Sequence, residues 1–276
     1  SADIATIDFT GSSAFGATLR QSARGRPVFT EEAGVNPVII AGTSDFAGIC
    51  NNLAMSLSLY SGQMCTSPQT MFIPKGGIDT DEGHKSASAV AEAVAAALDS
   101  LLGDPARALT ILGAIQSPAT LERVASAQKR GRLIRASAPV PGAKPARTAT
   151  PALVEVEEAS DLWRSECFGP IGFFIEVADA GAAVDRAAEL VRDKGAITAL
   201  IHATDDHLID KAAAALGAAG VPLSVNLTGP ILVNQSAAFS DYHVTGLNPS
   251  GNATLTDLAY VARRFSVAIV RRPAAA

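Results

Sequence analysis

The feature that most constrains the fold is a regular alternation of short apolar runs with amphipathic helical segments. Several runs are almost continuously apolar, as in "NPVII", "TMFIP" and "IGFFIEV", which is typical of strands covered on both faces. Between such runs lie helical patterns, the clearest of which is "HKSASAVAEAVAAALDSLL". Strand–helix–strand order predicts an α/β fold with a mainly parallel sheet and helices on both faces.

Glycine and proline mark the ends of these predicted elements. Gly103 and Pro105 end the clearest helix, and Gly131 follows the next one. Residues 137–151 hold four prolines and form the most obvious loop. The closing segment "FSVAIVRR" has a strand pattern far from any partner in sequence, so it pairs either with its own sheet or with another subunit.

Charge and composition exclude several classes of function. A net charge of −5 argues against a nucleic-acid surface, because phosphate binding needs clustered Lys and Arg. No apolar run reaches the roughly 18 to 20 residues of a membrane span. The four histidines show no metal-ligand spacing, so no metal site is expected. Three scattered cysteines do not make a disulfide framework, which favours a reducing compartment and a cytoplasmic location.

Cys65, in "LYSGQMCTSPQ", is the strongest candidate for chemistry. It follows a helical run and lies among Gly62, Gln63, Thr66 and Ser67, so small residues leave room around the sulfur. Such a loop can also aim backbone N–H groups at a developing oxyanion. A reactive cysteine needs partial exposure and a thiolate. The alternative from local context is an inert buried cysteine, and we assign Cys50, inside the preceding helix, to that class.

Acidic residues provide candidates for a general base. Glu31 and Glu32 end a predicted strand, where a carboxylate in apolar surroundings acquires a raised pKa. Adjacent residues of a strand point to opposite faces, so we expect at most one of the two to face a cleft. Glu166, in "SECFGP", is a lone carboxylate before a Gly-Pro turn, and the local pattern favours a solvent-facing position.

The junction "FTGSSAFG" near the amino terminus joins a predicted strand to a predicted helix through a glycine. Such a junction is a candidate phosphate seat, because the first N–H groups of a helix favour negative charge. As a single motif it is a weak signal.

Taken in order, the segments "DFTGSSAFG", "TEEAGVNPVII", "SGQMCTSPQ" and "SECFGPIGFFIEV" resemble the carboxy-terminal half of the NAD(P)-dependent aldehyde dehydrogenase superfamily. Members carry F-T-G-S, E-L-G-G-K-N-P, G-Q-x-C and E-x-F-G-P segments in this order. The interval of 34 residues between Glu31 and Cys65 (65 − 31) also fits the family. The resemblance implies a Rossmann-like catalytic domain.

The resemblance implies a role for each matching residue. Cys65 matches the nucleophile that attacks an aldehyde, and Glu31 matches the base that activates water to hydrolyse the resulting thioester. The Cys65 backbone N–H would form part of the oxyanion hole. The product is a carboxylic acid.

The resemblance also implies a cofactor site for either NAD or NADP. Gly11, Ser12 and Gly16 match the turn that lies against the cofactor pyrophosphate. Glu166 and Phe168 match the pair that contacts the nicotinamide-side ribose and ring.

Some positions depart from the family pattern. Glu32 stands where the family has Leu, Ala33 where it has Gly, and Val35 where it has Lys. Within the superfamily, "TEEAGVNPVII" and the segment of residues 233–257 look most like the aldehyde dehydrogenases of phenylacetate degradation. That subfamily implies a semialdehyde linked to coenzyme A as the substrate.

The resemblance divides the chain into three parts. Residues 1–33 match the end of the cofactor-binding domain and residues 34–250 the catalytic domain, while residues 251–276 form a tail with a candidate oligomerisation strand. We therefore expect a fragment of a longer enzyme, inactive alone, whose parent forms a homodimer or a higher homo-oligomer. Two alternatives remain open: coenzyme A-acylating chemistry, which the presence of Glu31 disfavours, and a non-catalytic folding or oligomerisation module.

Overall fold

A computed structural model describes residues 4–32, 34–229 and 268–273 and has helices packed on both faces of an eight-stranded sheet. The strands are β1 (Ile7–Gly11), β2 (Val28–Glu32), β3 (Asn36–Ile40), β4 (Pro68–Pro74), β5 (Ile78–Thr80), β6 (Gly83–Lys85), β7 (Arg132–Arg135), β8 (Ala152–Glu155), β9 (Ile171–Val177), β10 (Ala199–His202), β11 (Leu223–Val225) and β12 (Val270–Arg271). The helices are α1 (Ser13–Ser22), α2 (Phe46–Ser58), α3 (Ala87–Leu102), α4 (Pro105–Leu112), α5 (Pro118–Ala127), α6 (Ala180–Lys194) and α7 (Asp206–Ala218). Two short 3₁₀ turns lie at Leu59–Gly62 and Leu162–Arg164.

The strand order of the large sheet is β12-β11-β10-β3-β4-β9-β8-β7. Neighbouring strands run parallel, except that β7 is antiparallel to β8. The α2 helix crosses from β3 to β4, and α6 crosses from β9 to β10. The prediction of an α/β fold with a mainly parallel sheet is confirmed.

Two apolar layers hold the helices to the sheet. On one face α2 and α3 bury side chains such as Leu53 and Val94 against β3 and β4. On the other face α6 and α7 bury Val184 and Leu216. The central strands are buried on both faces, which explains why their sequences are apolar without alternation.

The helices begin at residues whose side chains accept a hydrogen bond from a first-turn N–H, the usual device for satisfying free donors at a helix start. These N-caps are Ser12, Asp45, Ser86, Asp104, Ser117, Asp179 and Asp205.

A second, two-stranded parallel sheet holds the predicted remnant of the cofactor domain. In it β1 pairs with β2, so that Gly11 lies beside Glu32. The α1 helix connects the two strands and packs closely on β2, since a side-chain carbon at Gly16 would lie 2.3 Å from the Glu32 Oε1 atom. This βαβ unit lies next to the amino-terminal end of the large sheet, because β2 leads through Gly34 into β3.

Four elements were not predicted from the sequence. Pro105, taken as a helix stop, is the first residue of α4, and Asp104 caps that helix. Proline suits this position because the first helical N–H has no intrahelical partner. The short hairpin of β5 and β6 and the strand β8 were also missed, since three- and four-residue runs carry little periodicity.

The carboxy-terminal strand pattern pairs with the chain's own sheet. Val270 lies beside Leu223, and Arg271 beside Ser224, in a parallel ladder. Of the two alternatives, the described residues therefore support the intramolecular one. Residues 230–267, which hold the predicted boundary at residue 250 and most of the tail, lie outside the described residues.

None of the helices within the described ranges combines the length and the apolar character needed to cross a membrane.

Candidate active site

A cavity of about 710 Å³ opens between the small βαβ unit and the amino-terminal ends of β4 and β9. Six of the seven residues predicted for the site line it, and Gly16 alone lies beneath the wall. The full lining is Thr10, Gly11, Ser12, Glu31, Glu32, Gln63, Met64, Cys65, Gln116, Ser117, Thr120, Arg123, Glu166 and Phe168.

Cys65 lies in the turn between α2 and β4 and is partly exposed to the cavity. Tyr60, Ser61 and Gly62 precede it with φ angles of 52°, 57° and 61°. A bulky residue such as Tyr60 rarely adopts this left-handed conformation, and such strain tends to occur at functional sites. The chain therefore reverses sharply after α2, which places Cys65 at the surface of the cavity.

Hydrogen bonds fix this turn to the end of α4 and to the segment that follows it. The Ser61 hydroxyl donates to the Leu112 carbonyl at 3.0 Å. The Gln63 Nε2 atom donates to the Ala114 carbonyl at 3.0 Å, and its Oε1 atom accepts from the Gln116 N–H at 2.9 Å. Gln63 thus joins the residues before Cys65 to the opposite wall of the cavity.

Glu31 and Glu32 both contribute to the lining of the cavity. Both lie where β2 ends, and the Glu32 carboxylate packs against Gly16 of α1, so the expectation that at most one of the two side chains faces the cleft stays a prediction. The Glu32 carboxylate is buried and bound by Arg20. Glu31, partly exposed, is therefore the better placed of the two to meet a substrate.

Glu166 is not the solvent-facing carboxylate that its local pattern indicated. It is mostly buried, and this burial raises its pKa to about 7. The positive charge of Arg123 and a hydrogen bond from the Gly34 backbone N–H oppose the rise. A carboxyl group that changes charge near neutral pH therefore lies in the cavity wall.

The segment around Glu166 and Phe168 is held in place by two side chains that the sequence reasoning did not single out. The Arg123 Nη1 atom donates to the Phe168 carbonyl at 2.7 Å. The Gln69 amide donates to the Ser165 carbonyl at 3.0 Å and accepts from the Cys167 N–H. Arg123 lies on α5, five residues after Pro118, and nothing in the sequence around it predicts a contact with Phe168.

The amino terminus of α1 forms the wall of the cavity on the small-sheet side. Ser12 caps the helix by accepting a hydrogen bond from the Phe15 N–H at 3.4 Å. Gly11, Ser12 and Ser13 are exposed, so the first turn offers N–H groups and a partial positive charge to an anion. This open turn and Cys65 line the same cavity.

The two other cysteines, Cys50 and Cys167, are buried, whereas Cys65 is partly exposed. Cys50 is buried in α2, and burial raises its pKa to about 12. Burial likewise raises the pKa of Cys167 to about 11. The assignment of Cys50 to the core is confirmed. Within the described ranges, no cluster of three His, Cys, Asp or Glu side chains has a geometry that could hold a metal ion.

The sequence profile of the aldehyde dehydrogenase family matches residues 1–255. Curated relatives include a lactaldehyde dehydrogenase from Methanococcus maripaludis, 25% identical over 182 residues, with 66% of this chain and 37% of the relative covered. An N-succinylglutamate 5-semialdehyde dehydrogenase from Burkholderia multivorans is 28% identical over 187 residues, with coverages of 65% and 37%. The matches thus span well under half the length of these curated relatives.

Solved structures agree with the profile. An NAD-dependent aldehyde dehydrogenase from Burkholderia multivorans superposes with a TM-score of 0.90 and 43% identity, covering 97% of this chain and 50% of that one. Aldehyde dehydrogenase C from Pseudomonas syringae, solved with NAD⁺ and octanal, gives a TM-score of 0.65 at 24% identity, covers 83% and 46% of the two chains, and supports the fold alone. The chain belongs to the aldehyde dehydrogenase family.

Proposed function

We propose that the protein containing this chain oxidises an aldehyde to a carboxylic acid, with NAD as the electron acceptor and Cys65 as the nucleophile. The observation that carries the proposal is that Cys65, Glu31, Glu166 and Phe168 line one cavity beside the open end of α1. The similarity to an enzyme described as NAD-dependent supports NAD over NADP.

The first step uses the thiolate of Cys65. Its sulfur attacks the carbonyl carbon of the aldehyde, and the carbonyl oxygen becomes an oxyanion near the backbone N–H of Cys65. Collapse of this thiohemiacetal expels the aldehyde hydrogen with its electron pair and leaves a thioester on Cys65. The nicotinamide of NAD, when bound, supplies the acceptor for that hydride.

The second step uses Glu31, whose carboxylate takes a proton from water as the water oxygen attacks the thioester carbon. The carbon–sulfur bond breaks, the carboxylic acid leaves, and Cys65 is restored as a thiolate. Glu32 is unsuited to this role because its carboxylate is bound by Arg20.

Cofactor binding falls to residues on both sides of the cavity. The α1 amino terminus at Gly11 and Ser12 would hold the pyrophosphate, with Gly16 allowing α1 to pack closely on β2. Glu166, when ionised, would accept hydrogen bonds from ribose hydroxyl groups beside Phe168. Its pKa of about 7 implies that cofactor affinity increases as the pH rises through neutrality.

The proposed substrate is an aldehyde, and its class is inferred from the relatives that this chain resembles. The resemblance to phenylacetate-degradation enzymes suggests a semialdehyde linked to coenzyme A, while the two curated relatives are named for lactaldehyde and N-succinylglutamate 5-semialdehyde. Coenzyme A as acyl acceptor in place of water is disfavoured because Glu31, a water-activating base, lines the cavity. The proposed protein is a cytoplasmic homo-oligomer. Its domains within this chain are residues 1–33 and 34–250, and residues 251–276 form a tail.

The proposal is tested by aldehyde-dependent NADH formation in the full-length protein. Cys65→Ala is expected to abolish turnover, and Glu31→Gln to lower the steady-state rate by about 10²- to 10⁴-fold, as removal of a general base does. Cys50→Ala, which removes a thiol buried in α2, is the control and is expected to retain turnover. Turnover by Cys65→Ala at the wild-type rate would refute the proposal.

A further inference from the structure

Asn36, the first residue of β3, lies where three strands begin next to the cavity. β3 has β4 on one side and β10 on the other, and Asn36 is 1% exposed. A carboxamide buried to this extent needs partners for two donor and two acceptor positions. Its partners show what the side chain does.

Two prolines near Asn36 remove backbone hydrogen-bond donors that a side chain must replace. Asn36 lies opposite Pro68 in the β3–β4 ladder, and Pro37 follows it. Neither proline has an N–H to donate, so the ladder lacks backbone donors at this end. The register also shifts between Asn36 and Pro37. A side-chain donor is therefore required to satisfy the carbonyl groups that lead into β4.

The Asn36 carboxamide supplies those bonds. Its Nδ2 atom donates to the carbonyl oxygens of Cys65 and Ser67, both at 2.8 Å. Its Oδ1 atom accepts from the backbone N–H groups of Ile197 at 3.0 Å and Thr198 at 3.2 Å. The four hydrogen-bonding positions of one amide are thus filled by the main chain of two separate segments.

These bonds act on the peptide unit of Cys65 itself. The Cys65 carbonyl is anchored through Asn36 to the starts of β3 and β10, and Cys65 lines the cavity. A turn with left-handed residues at positions 60–62 has no regular ladder to fix it, so a side-chain anchor decides where the sulfur lies.

We propose that Asn36 is a positioning residue for Cys65, and that its carboxamide sets the location of the thiol in the cavity. The inference rests on the proposed role of Cys65 as the nucleophile. It assigns Asn36 no contact with substrate. Its effect is exerted through the backbone of the residue that reacts.

The test compares Asn36→Asp with Asn226→Asp in the same protein. Asp at position 36 keeps the acceptor for Ile197 and Thr198 but loses the amide donors and adds a negative charge beside Cys65. Asn226 is a matched control, because its amide also bonds main-chain groups, donating to Ala203 O at 2.8 Å and accepting from Ala203 N at 2.9 Å. That pair lies at the opposite end of β10 from Asn36.

The first measurement is the rate at which iodoacetamide alkylates Cys65 at each pH, monitored by mass spectrometry of the Cys65 peptide. The second is the free energy of unfolding in urea. For Asn36→Asp we expect the pH midpoint of alkylation to rise by about one unit, as for a thiol near a new negative charge. In the full-length enzyme kcat should fall about 10- to 100-fold with KM little changed, as for a misplaced reacting group. Asn226→Asp should lower stability without moving the midpoint.

A purely structural role for Asn36 would leave kcat intact. The proposal is overturned if the two variants lose similar stability and both keep the wild-type kcat, whatever the midpoint does, because the new carboxylate moves the midpoint by its charge alone. If Asn36→Asp does not fold, Asn36→Ser serves, and hydrogen exchange on the wild-type chain is decisive: fast exchange at the Ile197 and Thr198 N–H groups contradicts the anchor. Failure of the proposed function is distinct, since it is diagnosed by turnover in Cys65→Ala whatever Asn36 does.

Discussion

The ionisation of Glu166 shows how burial gives a single carboxylate a property that its sequence neighbours do not suggest. Removal from water disfavours its charged form, and the Arg123 charge only partly offsets this cost. Its folded-state pKa of about 7 lies above the ordinary value of 4.5. Between those two values the folded chain holds a proton that the unfolded chain has released.

Stability should therefore decrease through that interval. The contribution of Glu166 is complete below about pH 4.5 and is lost as the pH rises to about 7. In Glu166→Gln this contribution is absent. The free energy of unfolding of the wild type, measured in urea relative to Glu166→Gln, should decrease from pH 4.5 to pH 7 and then level off. A difference between the wild type and Glu166→Gln that does not change with pH in this interval would contradict the assignment.

At the scale of elements, the turn that carries Cys65 and the segment that carries Glu166 touch through two glycines. A side-chain carbon at Gly62 would lie 2.5 Å from the carbonyl oxygen of Gly169, closer than van der Waals contact allows. Gly62 also has a φ of 61°, which suits glycine. The absence of a side chain at this position lets the two walls of the cavity approach each other.

Gly62→Ala separates these two causes when it is compared with Gly25→Ala. Gly25 has a φ of 79°, but no atom lies within 4 Å of the position that an alanine methyl group would occupy there. Both variants should lose about 1 kcal/mol through backbone strain, and Gly62→Ala should lose about 1–3 kcal/mol more through overlap with Gly169. Urea unfolding measures both. Equal losses would mean that the contact between the two segments is unimportant.

Sequence patterns predicted the long elements, and six of the seven candidate site residues line one cavity, but the bonds that position them were not predicted. Continuous apolar runs such as β9 and the capped helix α5 were recognisable because many residues carry the same signal. The start of α4 was missed because Pro105 fits both the end of one helix and the beginning of the next. Asn36 and Arg123 act on carbonyl groups 29 and 45 residues away, and no local pattern encodes such partners.

At the scale of the whole molecule, the cavity lies where the small sheet meets the amino-terminal ends of central strands of the large sheet. The βαβ unit of β1, α1 and β2 contributes Gly11, Ser12 and Glu31, while the large sheet contributes Cys65 and Glu166 from the turns before β4 and β9. The proposed chemistry needs both sides, since the general base and the nucleophile come from different sheets. The central claim is that Cys65 becomes acylated within this cavity.

The most direct measurement is the mass of the Cys65 peptide after the full-length Glu31→Gln protein reacts with an aldehyde and NAD. Because this variant lacks the base for hydrolysis, the thioester should accumulate. The Cys65 peptide should then gain the mass of the acyl group in place of the thiol hydrogen, and the Cys50 and Cys167 peptides should remain unmodified. NADH formation by this variant with no acyl group on Cys65, or with the acyl group on another residue, would contradict the account.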